Sequence, residues 1–254
     1  MNDFTAEART HKSTLAIATA VLLGTGAAAH GNGERAEAER LIADRPGLGD
    51  GAWVIAPDVW LLELGSSLVD TGPQRIGEAS ALLRIGLADY ELRLALPSPV
   101  FSIDGEDTQY TDFGLGIKLP LTETEHWTWA LIAGISFPTG TDAVTNEELN
   151  GYATLAGETS LSRALDFTVN VGAATPVGGG DSEFSFLPTF SLSVNEDVAV
   201  YGGYAGYYGE NDQHWAEAGI TVAVGEDLQW DINAAYDVEH DVWFAGVGLA
   251  WRWR

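Results

Sequence analysis

The stretch ADRPGLGDGAWVIAPDVWLLELGSSLVD, Ala43 to Asp70, changes character halfway along. Up to Pro57 it is a Gly- and Pro-rich ribbon with neither helical nor strand periodicity. Beyond Pro57 it alternates, with Leu62, Leu64 and Leu68 on one side and a lone Glu63 on the other. Such alternation marks a strand with two unlike faces. The leucine side needs a cover, and no amphipathic helix follows to provide one.

The same rhythm continues almost to the end of the chain. Turn signals divide it into twelve expected strands: Asp58–Val69, Arg75–Leu87, Tyr90–Leu96, Tyr110–Leu119, Trp127–Phe137, Gly151–Leu161, Leu165–Ala174, Glu183–Val194, Val198–Tyr207, Trp215–Val224, Leu228–Tyr236 and Asp241–Arg252. Thirty Gly, nine Trp and eight Tyr suit pleated structure better than helix. The connections alternate in length. AD (88–89), SRA (162–164), NED (195–197) and GED (225–227) are tight, and PLTETEH (120–126) is somewhat longer. PSPVFSIDGEDTQ (97–109), PTGTDAVTNEELN (138–150), TPVGGGDS (175–182) and YGENDQH (208–214) are long and polar. Short turns on one rim, long loops on the other and an even strand number form the pattern of an outer-membrane barrel.

The two faces agree with that pattern. The fifth strand sets Trp127, Trp129, Leu131, Ala133, Ile135 and Phe137 against Thr128, Ala130, Ile132, Gly134 and Ser136. The eleventh sets Leu228, Trp230, Ile232, Ala234 and Tyr236 against Gln229, Asp231, Asn233, Ala235 and Asp237. Aromatics near the end of an apolar face are what interfacial belts require. The ninth strand, VAVYGGYAGYY, carries aromatics at both parities and stays unoriented. The second face collects the charges: Glu63, Glu78, Arg84, Glu91, Arg93, Asp112, Lys118, Glu158, Glu183, Glu217, Asp231 and Arg252. These cannot face lipid. In a soluble sandwich they would be the wet face, but twelve strands without a helix or a blocked edge are best protected by closure. The expected fold is therefore all-β, a closed antiparallel up-and-down transmembrane β-barrel of about twelve strands, with the leucines on lipid and Glu63 in a polar lumen.

Ahead of the barrel, TLAIATAVLLGTGAAA follows a segment bearing Arg9 and Lys12 and ends in small residues, as an export signal does. The reading is a signal peptide over 1–29, a periplasmic lead-in over 30–57 that tucks against or into the barrel mouth, and a barrel over 58–254. The chain has 37 acidic and 12 basic residues, a net charge of −25. Removing the signal takes Asp3, Glu7, Arg9 and Lys12, so the imbalance persists. Nucleic acid is a poor partner for such a chain. With no Cys, stability does not come from disulfides.

At this point the chain resembles a known family. DRPGLGDGAWVIAPDVWLLELG (44–65), ALLRIGLADYELRLAL (81–96), DFGLGIKLPL (112–121) and ISFPTGT (135–141) look like the outer-membrane transporters grouped under the MetA pathway of phenol degradation. The resemblance covers about Leu41 to Trp253. It implies an outer-membrane barrel and an association with aromatic catabolism.

No enzyme chemistry stands out. His126, His214 and His240 sit in turns or loops without metal-ligand spacing, and there is neither H-E-x-x-H nor G-x-S-x-G. Asp70–Thr71–Gly72 reads as a turn rather than half of an aspartic protease site. DGED (104–107) and YGENDQ (208–213) lack EF-hand spacing, and Gly178–Gly180 has no helix after it to bind phosphate. The expectation is a non-enzyme without cofactor or metal. Its expected partners are outer-membrane lipid, the barrel-assembly machinery and small solutes, and it is expected to be a monomer. The leading function is a passive channel or uptake barrel for small apolar or aromatic solutes. A closed structural or surface-interaction barrel is the alternative, and an outer-membrane enzyme a third reading. The tight turn at 88–89 brings Arg84 beside Glu91 and Arg93, which predicts an ion-pair network. Eight acids against four bases on the inner face predict a weak preference for cations.

Overall fold

The computed structural model describes residues 41, 43, 44, 47–102 and 108–254. The expected signal segment and the DGED loop lie outside these residues. Strands β1 (Trp60–Asp70), β2 (Arg75–Gly86), β3 (Glu91–Leu96), β4 (Pro99–Ser102), β5 (Gln109–Tyr110), β6 (Phe113–Glu123) and β7 (Thr128–Phe137) make the first half. The second half is β8 (Asn150–Ser160), β9 (Leu165–Pro176), β10 (Glu183–Ser193), β11 (Val198–Tyr208), β12 (Gln213–Val224), β13 (Leu228–Asp237) and β14 (Val242–Trp253). Each long strand pairs antiparallel with its sequence neighbours, and β14 returns to β1 in a ladder from Trp60↔Trp253 to Asp70↔Trp243. The sheet is closed.

The fourteen segments make twelve barrel strands. Both β3 and β4 pair with β2, while β5 pairs with β4 and β6 with β3. From Leu96↔Ala81 to Val100↔Glu78 the β3–β4 side carries one residue more than β2, which is a bulge at Pro97–Ser98. Proline has no N–H for the ladder, and a bulge is where a strand tolerates it. The expected long loop 97–109 is therefore partly strand. The expected turn 120–126 shrinks in the same way, because β6 runs on to Glu123 through an irregularity between Pro120 and Thr122. Leu87 N–H closes the first tight turn on Tyr90 O at 2.8 Å. In the turn after β10, Asn195 Oδ1 accepts from both Asp197 N and Val198 N at 2.9 Å.

Exposure alternates as the sequence does. On β13 and β14, Trp230, Ile232, Tyr236, Trp243, Val247 and Trp251 lie outward, while Gln229, Asp231, Asp237, Val242, Phe244 and Arg252 are buried. The outward residues near the short-turn rim stack into a belt. Trp60 lies on Trp253, Trp251 on Trp253 and Trp127 on Trp129, and Phe167 bridges Trp127 to Phe190. The missing side chain of Gly157 leaves the space that the Trp129 ring occupies. At the long-loop rim, Phe113 meets Phe137, and Tyr204 and Tyr208 gather on His214. Strand β11 thereby gains an orientation. Tyr201 and Tyr207 point inward, each 6 % exposed, and Tyr204 and Tyr208 point outward.

Candidate functional site

The lumen is occupied by the chain's own lead-in. The described residues between Ala43 and Ile55 cross the barrel interior, with Ala43, Asp44, Leu48, Ala52 and Ile55 all buried. A ribbon without a ladder must still satisfy its backbone N–H groups, and the barrel wall supplies the acceptors. Asp44 N–H donates to Glu63 Oε1 at 3.0 Å, Leu48 N–H to Glu217 Oε2 at 2.9 Å and Ile55 N–H to Glu91 Oε2 at 3.2 Å. Glu158 accepts from Ala52 N–H at 3.4 Å and from the Trp53 indole N–H at 3.1 Å. Asn170 accepts from Asp50 N–H and donates Nδ2 to Asp50 O at 2.8 Å. At the exit of the ribbon, Gly86 lets β2 press against the Ala56 carbonyl, where a Cβ would collide.

Charge ties the ribbon down. The Arg84 guanidinium grips Glu91 with two bonds of 2.6 and 2.7 Å and reaches Glu63 at 2.8 Å and Asp44 at 3.1 Å. Arg93 meets Asp44 at 2.5 Å, Asp50 at 2.8 Å and Glu91 at 3.1 Å. Lys118 Nζ lies 2.9 Å from Asp44 Oδ1. Three cations thus converge on one ribbon carboxylate, and fixed fork geometry makes the arginines suited to it. Burial opposes ionisation of Asp44, but the charges of Arg84, Lys118 and Arg93 outweigh it and hold the carboxyl well below its ordinary range.

On the long-loop side of the ribbon lies a cavity of ≈ 540 Å³. Leu48 and Asp50 of the ribbon reach it, and Arg93 and Asn170 line it beside them. Its walls mix Ile132, Leu187, Tyr152 and Tyr207 with Ser80, Ser136, Asn150 and Thr154. The carboxylates of Asp112, Asp142, Glu147, Asp181 and Glu183 also line it, as does Glu63. Trp215, Phe244, Val69, Ile76 and Val242 form an apolar cluster that also takes in Leu48 and Tyr207 of the cavity lining.

The residues singled out in the sequence fall into groups. Glu63, Arg84, Glu91, Arg93 and Lys118 meet in the ion network, and Glu158 and Glu217 hold ribbon backbone. Asp231 is buried away from them, 2 % exposed. Glu78 is 1 % exposed, and among the described residues neither of its carboxylate oxygens has a hydrogen-bond partner. Asp112 does not join Lys118 on a strand face, because it lies in the break between β5 and β6. There it accepts from Gly140 N–H at 2.8 Å, Thr145 Oγ1 at 2.7 Å and Asn146 N–H at 2.9 Å, fastening the 138–149 loop. Glu183 sits at the start of β10, beside the cavity mouth. Arg252 clasps a short turn instead, with Nε on Asp227 at 2.8 Å and Nη2 on Glu226 O at 2.7 Å. Sequence reasoning missed Asp44, Asp50 and Asn170, and at the cavity Asp142, Glu147 and Asp181. Glu63 and the Arg84–Glu91–Arg93 trio implied buried counter-charges, but nothing local pointed to the ribbon as their source.

A closed twelve-stranded barrel with a lipid-type outer band between two aromatic belts and a charged interior defines an outer-membrane β-barrel. The chain belongs to the family described as "Putative MetA-pathway of phenol degradation", which matches residues 43–253. Among solved structures it is similar to the COG4313 outer membrane channel from Pseudomonas putida F1, with a TM-score of 0.60 at 11 % identity, covering 82 % of this chain and 100 % of that one. The KdgM porin in complex with disordered oligogalacturonate gives a TM-score of 0.59 at 7 % identity, covering 76 % and 99 %. The NanC porin gives 0.56 at 9 %, covering 75 % and 98 %. At these identities the likeness is one of fold. No curated protein matches the chain.

Proposed function

We propose that this protein is a passive outer-membrane channel for small solutes with an apolar or aromatic body. The observation that carries the reading is the ≈ 540 Å³ cavity at the long-loop end, walled by apolar and hydrogen-bonding residues together. Such a mixture is what small-molecule sites use. The ribbon is the floor of that cavity, so passage requires it to shift. Similar solved barrels that are porins and channels support a non-catalytic role. In this reading the chain is exported by its N-terminal signal, inserted as a monomer by the barrel-assembly machinery and surrounded by outer-membrane lipid.

One observation favours a second reading, a closed structural barrel. Among the described residues, Asp44 and Asp50 of the ribbon make four ion-pair contacts of 3.1 Å or less with Arg84, Arg93 and Lys118. Planar-bilayer recordings separate the two. The full chain and a variant lacking residues 43–57 are compared, and the channel reading expects unitary conductance that rises when the ribbon is gone. Silence from both, in preparations that migrate as folded barrels, leaves the closed barrel.

A further inference from the structure

We propose that the cavity takes small organic cations, an ammonium or amidinium head on an apolar body; this rests on the cavity being the solute site of the channel. Among the described residues the cavity is lined by seven carboxylates and one guanidinium, that of Arg93; Asp50 and Glu63 belong to the ion network, and Asp112, Asp142, Glu147, Asp181 and Glu183 lie outside it. The Arg93 nitrogens are already engaged by Asp44, Asp50 and Glu91, so the one lining cation is committed to the network rather than offered to an anion. A cleft lined by one sign of charge concentrates solutes of the opposite sign.

A second, independent observation concerns hydrogen bonding. Among the described residues, three side chains that line this cavity hold a buried oxygen without a hydrogen-bond partner: Glu63 Oε2, Asn150 Oδ1 and the Tyr207 hydroxyl. Glu63 as a whole is 1 % exposed and Tyr207 6 %. Buried polar atoms are almost always paired, and each exception asks for an explanation. Carboxylate and amide oxygens are acceptors, so what they lack is a donor. An ammonium brings three donors and no acceptor, as the lysine head does, and satisfies both the missing bonds and the field. Tyr152 and Tyr207 also line the cavity, and an aromatic ring attracts a cation placed over its face. Ile132, Leu187 and Leu48 receive the apolar body. A carboxylate solute meets repulsion at the mouth from Asp112, Asp181 and Glu183. A neutral alcohol finds the donors' places but gains nothing from the charge.

Calorimetry on the purified full-length barrel tests this with three probes of one shape: 2-phenylethylammonium, 2-phenylethanol and phenylacetate. The ammonium is expected to bind about tenfold or more tightly than the alcohol, with a preference that falls as salt rises. Phenylacetate is expected not to bind. Glu183→Gln, which lies outside the ion network, should weaken the ammonium about tenfold and leave the alcohol unchanged, and Glu183→Asp should restore most of the loss. Equal binding of ammonium and alcohol, binding of phenylacetate, an effect of Glu183→Gln on both probes alike, or no binding of any probe overturns the proposal. Conductance without discrimination between the probes defeats it alone. Selective ammonium binding by a barrel that never conducts defeats the channel and leaves this inference standing.

Discussion

Around Asp44, three cations and four carboxylates close on one another within 3.1 Å, and every cation has at least one carboxylate in contact. At the cavity, among the described residues, carboxylates outnumber cations and buried acceptors stand without donors. Residues of β1, β2, β3 and β6 build the first region together with the ribbon, whereas Asp112, Asp142, Glu147 and Asp181 bring most of the cavity's carboxylates from outside the strands. The difference teaches that charge on a barrel's inner face does two kinds of work. Where opposite charges interlock, they fix a segment of chain. Where one sign is left in excess beside open volume, they bias what enters.

The largest expected effect comes from breaking the interlocked side. Asp44→Ala leaves Arg84, Arg93 and Lys118 short of a shared partner, and truncating one member of a buried pair costs about 3–5 kcal/mol. A urea unfolding series in detergent should show that drop, and a loss under about 1 kcal/mol would mean the network is well hydrated. The pH dependence follows from the depressed carboxyl of Asp44. Its stabilisation is complete above the unfolded carboxylate value and declines as pH falls toward the lower folded value. The midpoint of the Asp44→Asn variant should therefore lie well below that of the parent at neutral pH, and the gap should narrow on acidification.

Next in size is a charge forced onto the outer wall. Val247 is 52 % exposed on the apolar face of β14, and Val247→Arg should cost roughly 2–4 kcal/mol near the bilayer centre. Ala133→Arg on β7 should behave alike. Gly134, one residue on, packs under the Tyr152 hydroxyl on the inner side, so Gly134→Arg should disturb the cavity wall and not insertion. Equal insertion defects at 133 and 134, read from the fraction of heat-modifiable barrel, would reverse the assigned faces.

Arg93 touches both regions and sharpens the comparison. Arg93→Ala should lower stability and also increase cation preference in bilayer recordings, since it removes the one guanidinium that lines the cavity among the described residues. A change in stability alone would assign Arg93 to the ribbon's anchorage and nothing more. The smallest effect is expected at Arg75, whose partner Asp70 lies 3.3 Å away on the long-loop rim with the arginine side chain 62 % exposed. Arg75→Ala should cost no more than about 1 kcal/mol, as exposed pairs do.

The barrel was legible because alternation is a local signal. Leu228 to Tyr236 declares its two faces without reference to any other strand, and the closing ladder of β14 on β1 needs only an even number of such segments. Strand β11 was not legible, because Tyr201, Tyr204, Tyr207 and Tyr208 satisfy either parity until Trp215 and His214 on β12 choose between them. The bulge at Pro97–Ser98 hid β4 inside an apparent loop. Of the cavity's charges, alternation singled out Glu63, Arg93, Asp112 and Glu183, while Asp142, Glu147 and Asp181 lie in loops that it does not describe, and the ion network was half visible. Arg84, Glu91 and Arg93 meet across a two-residue turn. Asp44 and Asp50 join them from 40 or more residues away, through a ribbon whose bonds to the wall span 19 to 169 residues. No periodicity encodes such contacts. Asp112 was misplaced for a similar reason, since its partners at Gly140, Thr145 and Asn146 belong to a loop whose path alternation does not describe.

The seam between β1 and β14 has a consequence for assembly. Strand β1 begins at Trp60, five residues after the ribbon's Ile55, and its first rung is made with Trp253 on the last strand. The step that zips the first strand to the last is thus the step that encloses the ribbon. A ribbon arriving after closure would have to thread a lumen already crowded with side chains. The anchors of the ribbon, Arg84, Arg93 and Lys118, all lie on strands early in the chain, and the seam that encloses them is made by its last strand.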